Sequence, residues 1–458
     1  MRIRFWYRSP RYERPRLASA SPCRSSGTPH SAAFRALLAA LTLGLAALPA
    51  SGMRAATPAP ALPETWEART RLRETIFAPV GDILSARPMI VTQASDAARV
   101  SFRVDSQSGS VYLVFAAQRR GGFPLDGSGT FIIKRSLTGG GFVQAKIFFQ
   151  DDPGCYIRLF PSDDRTLLDI FLFGEAVQSN VIVPVAFSRL LTLPVARIME
   201  MSSGAVDWSL LLAPSPGEED QRVSRVASAI RERLKGLRDM DDGAMDQAGG
   251  MVHIASGMPA GKGGFNCSGF AKWVVDGFYA PITGRDTDIT ALKSRDSMRG
   301  GKWSARYEEE LDPYFGLDWT RGLARSIAQA RTGSVPGDEE LDVRDADHVP
   351  YVKDAGYSVP GLRTVLYFLA RRNPGSMYLG SVNAASRETS QDGIPTLRQH
   401  HHVIVLLPYF DSRGAFRVVV MERNVETSLA SLDRRYAEEY VHLVRLDSSG
   451  VFAPPKIE

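Results

Sequence analysis

Cys267 lies in the segment Gly263-Gly264-Phe265-Asn266-Cys267-Ser268-Gly269-Phe270. Asn266 is of the residue type that caps helix N-termini, and Phe270, Val274 and Phe278 follow at helical spacing, so the pattern predicts a helix opening at Cys267. In a first turn the unpaired N–H groups and the positive end of the helix dipole favour a thiolate over a thiol. The same N–H groups can hold an oxyanion that develops beside the sulfur. Glycines ahead of the cysteine would let a substrate backbone come close. On this reading Asn266, Ser268 and Gly264 are the oxyanion and substrate-facing positions. The competing reading is a small residue packed at a helix end, a common place for free cysteine.

A nucleophile of this kind needs a base, and Gln399-His400-His401-His402 leads directly into the apolar run Val403-Ile404-Val405-Leu406-Leu407. A turn at Asp411-Ser412-Arg413-Gly414 returns the chain as a second strand at 416–421. In such a hairpin the histidines at the start of the first strand lie beside Glu422, Arg423 and Asn424 at the end of the second. Glu422 or Asn424 would orient the imidazole, completing a nucleophile–base–orienter set. Residue alternation leaves open which of the two does so, and which of the three histidines is the base. A metal reading would use His400 and His402 from one strand face, with Asp392 as third ligand. Neither HExxH nor CxxC spacing occurs, and no metal or organic cofactor is expected. His253 and His348 stand alone and read as structural or surface residues.

The elements that must position these groups fall into two textures. From 85 to 215, short β-rich runs at 100–104, 110–115, 130–134, 142–149, 155–160, 167–173 and 180–185 alternate with Gly, Asp and Ser at intervals of about ten residues. That spacing predicts an all-β domain, a sandwich or barrel, suited to docking a substrate. The remainder, 216–458, reads as an α+β domain: helices at 222–237, 267–279 and 362–372, then strands at 376–380, 401–407 and 416–421. A charged, Gly-rich stretch at about 285–355 lacks periodicity and reads as an insertion of loops and short helices. Residues 53–84 read as a linker followed by a short helix at 65–77.

Asn266-Cys267-Ser268-Gly269-Phe270 resembles the Asp-Cys-Ser-Gly-Phe motif of the NlpC/P60 cell-wall peptidases, and His402-Val403-Ile404 resembles that family's base-bearing strand. The resemblance implies a papain-like domain, a helix packed on an antiparallel sheet, with Cys267 as nucleophile and His402 as base. It implies Glu422 or Asn424 as third member and amide bonds of peptidoglycan stem peptides as the target. Asn266 stands where the family has Asp, Ile404 where it has Gly, and the Cys–His separation of 135 residues implies an insertion. The resemblance covers two short motifs in the last two hundred residues.

Residues 1–52 carry eight Arg and one Glu, followed within that span by an apolar run from 36 to 50 and the small residues Ala50-Ser51-Gly52. This is the pattern of an export signal, and it implies a periplasmic or cell-envelope protein. It would be soluble once the signal is removed, or membrane-anchored if the signal stays. The leader holds +7 of a total of +5, so the rest of the chain is near −2, and the basic pI is no sign of nucleic-acid binding. Of the three cysteines Cys23 would leave with the signal, and two are too few for a disulfide scaffold; Cys155 and Cys267 either pair with each other or leave a free thiol. Two alternatives stand beside the hydrolase: a non-catalytic cell-envelope binding protein that keeps the fold, and a Cys–His acyltransferase.

Overall fold

Strand alternation and tight turns build the first half of the chain. The computed structural model describes residues 62–212, 214–295, 312–385 and 398–457. Three short helices, α1 (Trp66–Arg71), α2 (Arg73–Phe77) and α3 (Val80–Leu84), precede an antiparallel sheet. Its strands are β1 (Met89–Thr92), β2 (Arg99–Gln107), β3 (Ser110–Ala117), β4 (Phe131–Ser136), β5 (Phe142–Phe148), β6 (Tyr156–Ser162), β7 (Arg165–Leu172) and β8 (Glu175–Val183). They hydrogen-bond in chain order as one eight-stranded meander, in place of the expected sandwich or barrel. Two-residue turns at Ser108-Gly109 and Phe173-Gly174, all four residues at positive φ, match the twist of the strands they join. Each six-to-nine-residue return therefore pairs with its immediate predecessor.

The expected β domain is not β to its end. Helices α4 (Phe187–Leu190), α5 (Val195–Ser202) and α6 (Trp208–Leu211) occupy its last residues. With α1–α3 they cover the sheet face formed by Val111, Leu113, Phe115, Ile147, Leu159 and Ile170. Arg69 of α1 is fully buried there, donating to the carbonyls of Leu191 (2.6 Å) and Leu193 (2.8 Å), and its guanidinium lies 4.1 Å from the Phe131 ring centre.

The second half begins with α7 (Glu218–Leu234), then a two-stranded hairpin, β9 (Ala244–Met245) and β10 (Met251–Val252), and the long helix α8 (Cys267–Thr283). After α9 (Ile289–Leu292) come α10 (Phe315–Thr332), α11 (Asp338–Leu341), β11 (Asp342–Val343), β12 (Tyr357–Ser358) and α12 (Leu362–Arg372). The chain closes with β13 (Ser376–Ala385), β14 (Arg398–Phe410), β15 (Phe416–Glu422), β16 (Val425–Thr427), α13 (Leu429–Tyr436) and β17 (Tyr440–Asp447). These strands form an antiparallel sheet in the order β11-β17-β13-β14-β15-β16, with β12 also on β17. The described chain is thus a mixed α and β protein with antiparallel sheets.

Alternation gives the second sheet two apolar faces. Val403, Val405 and Leu407 of β14 meet Phe270, Trp273 and Val274 of α8 and Trp319 and Leu323 of α10. Ile404 and Leu406 face the other way, onto Val365, Leu366 and Leu369 of α12. That second face is continuous with the core of the first sheet: the Tyr367 hydroxyl donates to Leu211 O (2.8 Å), and Thr364 Oγ1 to Leu172 O (3.2 Å). The described residues form one compact unit.

The stretch at 285–355 is not only loops and short helices. It contains α10, eighteen residues long, buried against α8 and the sheet. Its periodicity is masked in the sequence because Asp318, Thr320 and Arg321 are buried beside the apolar positions. Arg321 is held by Asp342, with Nε and Nη2 at 3.0 and 2.7 Å from its two oxygens, so a charged residue occupies a core position.

Candidate active site

Asn266 caps α8: its Oδ1 accepts from Gly269 N (2.8 Å), and Cys267 is the first helical residue. The cap side chain is also fastened outward, Nδ2 to Asp241 O at 3.3 Å, so Asn266 shapes the helix start and does not face a substrate. The Ser268 side chain is buried, and its carbonyl accepts from Trp319 Nε1 (2.9 Å). The glycines serve the protein's own backbone. A Cβ on Gly264 would lie 2.5 Å from Arg238 O, and one on Gly269 would lie 2.0 Å from Gly243 O. The loop ahead of the hairpin β9–β10 is thereby pressed onto the first turn of α8. In place of the expected substrate-facing roles, Gly264 serves close backbone packing, Asn266 caps the helix, and the buried Ser268 hydroxyl lies beside the Cys267 sulfur. Gly269→Ala should cost about 1–3 kcal/mol, as forced overpacking does. Urea unfolding would read this as a lower midpoint, and an unmoved midpoint would show that the loop yields freely.

The histidine run is not a regular strand. β14 pairs with β13 as His402 on Val382 and His400 on Asn383, so His401 is the extra residue of a β-bulge. The bulge takes one residue out of the alternation and sends His400 and His402 to opposite faces. The shared face that a two-histidine metal pair requires is therefore not formed; Asp392 lies outside the described residues. His400 is buried, with Nδ1 2.9 Å from Ser381 Oγ and its backbone N–H donating to Pro313 O (2.7 Å). Burial, with the charges of His442 and Arg321, holds its imidazole neutral, well below the ordinary histidine range. His401 is exposed.

His402 meets the cysteine. Its Nε2 donates to Glu422 Oε2 at 2.7 Å, and the ring is near enough to Cys267 to interact with its sulfur. With Nε2 facing the carboxylate, Nδ1 is the nitrogen left for sulfur. β15 pairs with β14 only as far as Met421 on Val405, and the N-terminus of α8 occupies the edge beyond. There the Val403 backbone N–H also lies near the sulfur, with Ser268 Oγ 4.0 Å away.

The electrostatics follow from this placement. Burial alone would raise the Cys267 thiol, but the hydrogen bond and charge of His402, with Val403 N–H and the Ser268 hydroxyl, bring it below the ordinary thiol value. Burial alone would lower His402; hydrogen bonds and charge from Cys267 and Glu422 overcome it and raise the imidazole to about 9. Glu422, 4% exposed, is pushed up by burial and then held below the usual carboxylate range by His402 and Arg435. The half-buried sulfur and the imidazole thus each favour the charged form of the other.

Asn424 is not the orienter. Glu422 turns directly into β16, pairing with Val425, so Arg423 and Asn424 form the two-residue turn between them. Arg423 takes positive φ, and the Asn424 amide donates to Arg238 O (2.7 Å). Two neighbours that carry no motif complete the site. Arg435 of α13 donates to the free oxygen of Glu422, and the Tyr436 ring lies 6.3 Å from the His402 ring, nearly parallel to it.

Cys155 and Cys267 are both free thiols, so the expected disulfide alternative is not realised. Cys155 is buried under the first sheet, accepting from Phe173 N (3.4 Å), and burial raises its thiol far above the ordinary value. Among the described residues, no group of three His, Cys, Asp or Glu side chains is placed to hold a metal ion, and no helix is long and apolar enough to cross a membrane. Residues 1–52, where an export signal is expected, lie outside the described residues.

Comparison with known proteins bears on the other half of the chain. A family model described as a domain of unknown function (DUF8515) matches residues 58–210, the first sheet and its helices, and ends before the site. No curated protein and no solved structure matches the chain.

Proposed function

We propose that this protein is an exported cysteine hydrolase that cleaves amide bonds in the stem peptides of peptidoglycan. The observation that carries the reading is the meeting of Cys267, at the start of α8, with His402, whose far nitrogen is held by the buried Glu422. The NlpC/P60-like motifs around Cys267 and His402 support a papain-like cell-wall amidase, and the sequence of residues 1–52 supports export.

The Cys267 thiolate attacks the amide carbonyl, forming a C–S bond as the carbonyl electrons move to oxygen. The backbone N–H groups of Cys267 and Ser268, the first-turn donors left uncapped by Asn266, are the ones to receive that oxyanion. The His402 imidazolium gives its proton to the leaving nitrogen as the C–N bond breaks. Neutral His402 then takes a proton from water as its oxygen attacks the thioester. The acid departs and the thiolate–imidazolium pair returns. Glu422 holds the ring in one tautomer throughout.

Incubation with purified muropeptides should yield new amine and carboxylate termini by mass spectrometry. Iodoacetamide should alkylate Cys267 across neutral pH, with the profile changing as pH rises through about 9, where His402 deprotonates. A thiol inert at neutral pH and muropeptides left intact would refute the hydrolase and favour an envelope-binding protein. Acyl transfer to an added amine in preference to water would make it a transferase.

A further inference from the structure

The catalytic reading leaves one charged contact unused. Glu422 has two carboxylate oxygens inside the protein; His402 takes one and the Arg435 guanidinium the other. Arg435 is itself fixed: its Nε donates to Ser431 O (3.3 Å) within α13, and its guanidinium carbon lies 5.3 Å from the Tyr436 ring centre. The side chain is 43% exposed, so the cation stays hydrated on one side while it meets a buried anion on the other. α13 connects the edge strand β16 to β17 along the chain, and supplies both this contact and the Tyr436 ring beside the imidazole.

The need for a second cation arises from the reaction. His402 is positive at rest, and Glu422 is then paired. Once His402 has protonated the leaving amine it is neutral, and the buried carboxylate has lost that charge. A buried carboxylate without a cation takes up a proton or swings toward water. Either movement would release the imidazole when it must orient and accept a proton from water.

We infer that Arg435 is a positioning residue for this site: it holds Glu422 ionised and aimed at His402 Nε2 while the imidazole is neutral. The inference rests on the hydrolase reading. The titratable groups around the imidazole are Cys267 from α8, Glu422 from β15, Arg435 and Tyr436 from α13, and His401 from its own strand.

The test follows the pH dependence of Cys267 alkylation by iodoacetamide in the full chain, using Arg435→Ala, Arg435→Gln and Arg435→Lys beside the wild type. Gln keeps much of the stem's packing without the charge and reads the same effect if Ala disturbs folding, which thermal melting would reveal. If Arg435 works through Glu422, both neutral variants should move the basic limb down from about 9. The shift should be about one pH unit, the scale of a lost charge-assisted hydrogen bond. Lys should restore most of it. The opposite sign separates positioning from simple charge, because a cation acting only through space repels imidazolium, and its removal would move the limb up. A limb that stays or rises in the neutral variants overturns the inference, whereas a wild-type thiol inert at neutral pH overturns the hydrolase reading itself.

Discussion

Cys267→Ala should abolish muropeptide hydrolysis while the protein still folds. Removing the nucleophile from a nucleophile–base unit costs on the order of a millionfold in kcat, and what remains comes from substrate binding and the oxyanion donors. The fold should tolerate the change: Cys267 is only half-buried, and the cap on α8 is made by Asn266 to Gly269 without it. A melting temperature close to wild type, together with absent product, is the expected pair of results. Among the described residues alkylation should disappear as well, since Cys155 is buried beneath the other sheet with a thiol that burial keeps protonated. One side effect follows from the pairing. The thiolate is among the groups that raise His402, so in the Ala variant the imidazole should titrate below the wild-type value of about 9, as histidine NMR would show. Hydrolysis that survived in this variant would place the chemistry elsewhere.

Asp342→Ala should cost about 3–5 kcal/mol of stability, the range for removing one partner of a buried ion pair. Asp342 receives Arg321 on both oxygens (3.0 and 2.7 Å) and Arg344 on one (2.6 Å). His442 Nε2 lies 3.2 Å away, near enough for an ionic contact but out of line for a hydrogen bond. Arg321 is 2% exposed, so without Asp342 a guanidinium would be left in the core with weaker compensation from Asp338 at 3.8 Å. The network ties α10, β11 and β17 together beneath the strand that carries His400. Arg344→Ala should cost under about 1 kcal/mol, because that side chain is 37% exposed and water can replace the contact. Urea unfolding of both variants would separate the two cases, and equal losses would contradict the account.

The same network makes the fold acid-sensitive. Despite burial, the close contact of His442 and the hydrogen bonds and charge of Arg321 hold Asp342 well below the ordinary carboxylate range. Its contribution is therefore present above the unfolded Asp value of about 3.9 and lost as pH falls through the folded one. His400 and His442 are both lowered, chiefly by burial. Their unfolded forms take up protons first, so stability declines as pH drops below about 6.5. His402 has the opposite sign. It is raised, so its contribution is full below about 6.5 and fades as pH climbs through about 9.

By itself the amino-acid sequence determined what depends on near neighbours. Asn266 followed by apolar residues at helical spacing places Cys267 at the start of α8, because capping and amphipathic burial are decided within a few turns. The runs from β2 to β8, the helix Leu362–Arg372 and the hairpin β14–β15 were legible for the same reason: alternation and turn residues act locally. The tertiary structure alone decided what depends on residues far apart in the chain. The sequence left Glu422 and Asn424 open, because the register is set by the turn; the observed β14–β15 register, if continued, would bring Asn424 opposite His402. β15, however, stops pairing at Met421 and folds away into β16, leaving Glu422 at the imidazole and Asn424 in a turn. The bulge at His401, which parts His400 from His402, has no residue-type signature. α10 was obscured because Arg321 is buried by virtue of Asp342, twenty-one residues on. Arg435 became a neighbour of Glu422 only when α13 packed beside β15. Local propensity chooses elements, whereas burial of charge and the closing of a sheet are settled by partners that only the folded chain brings together.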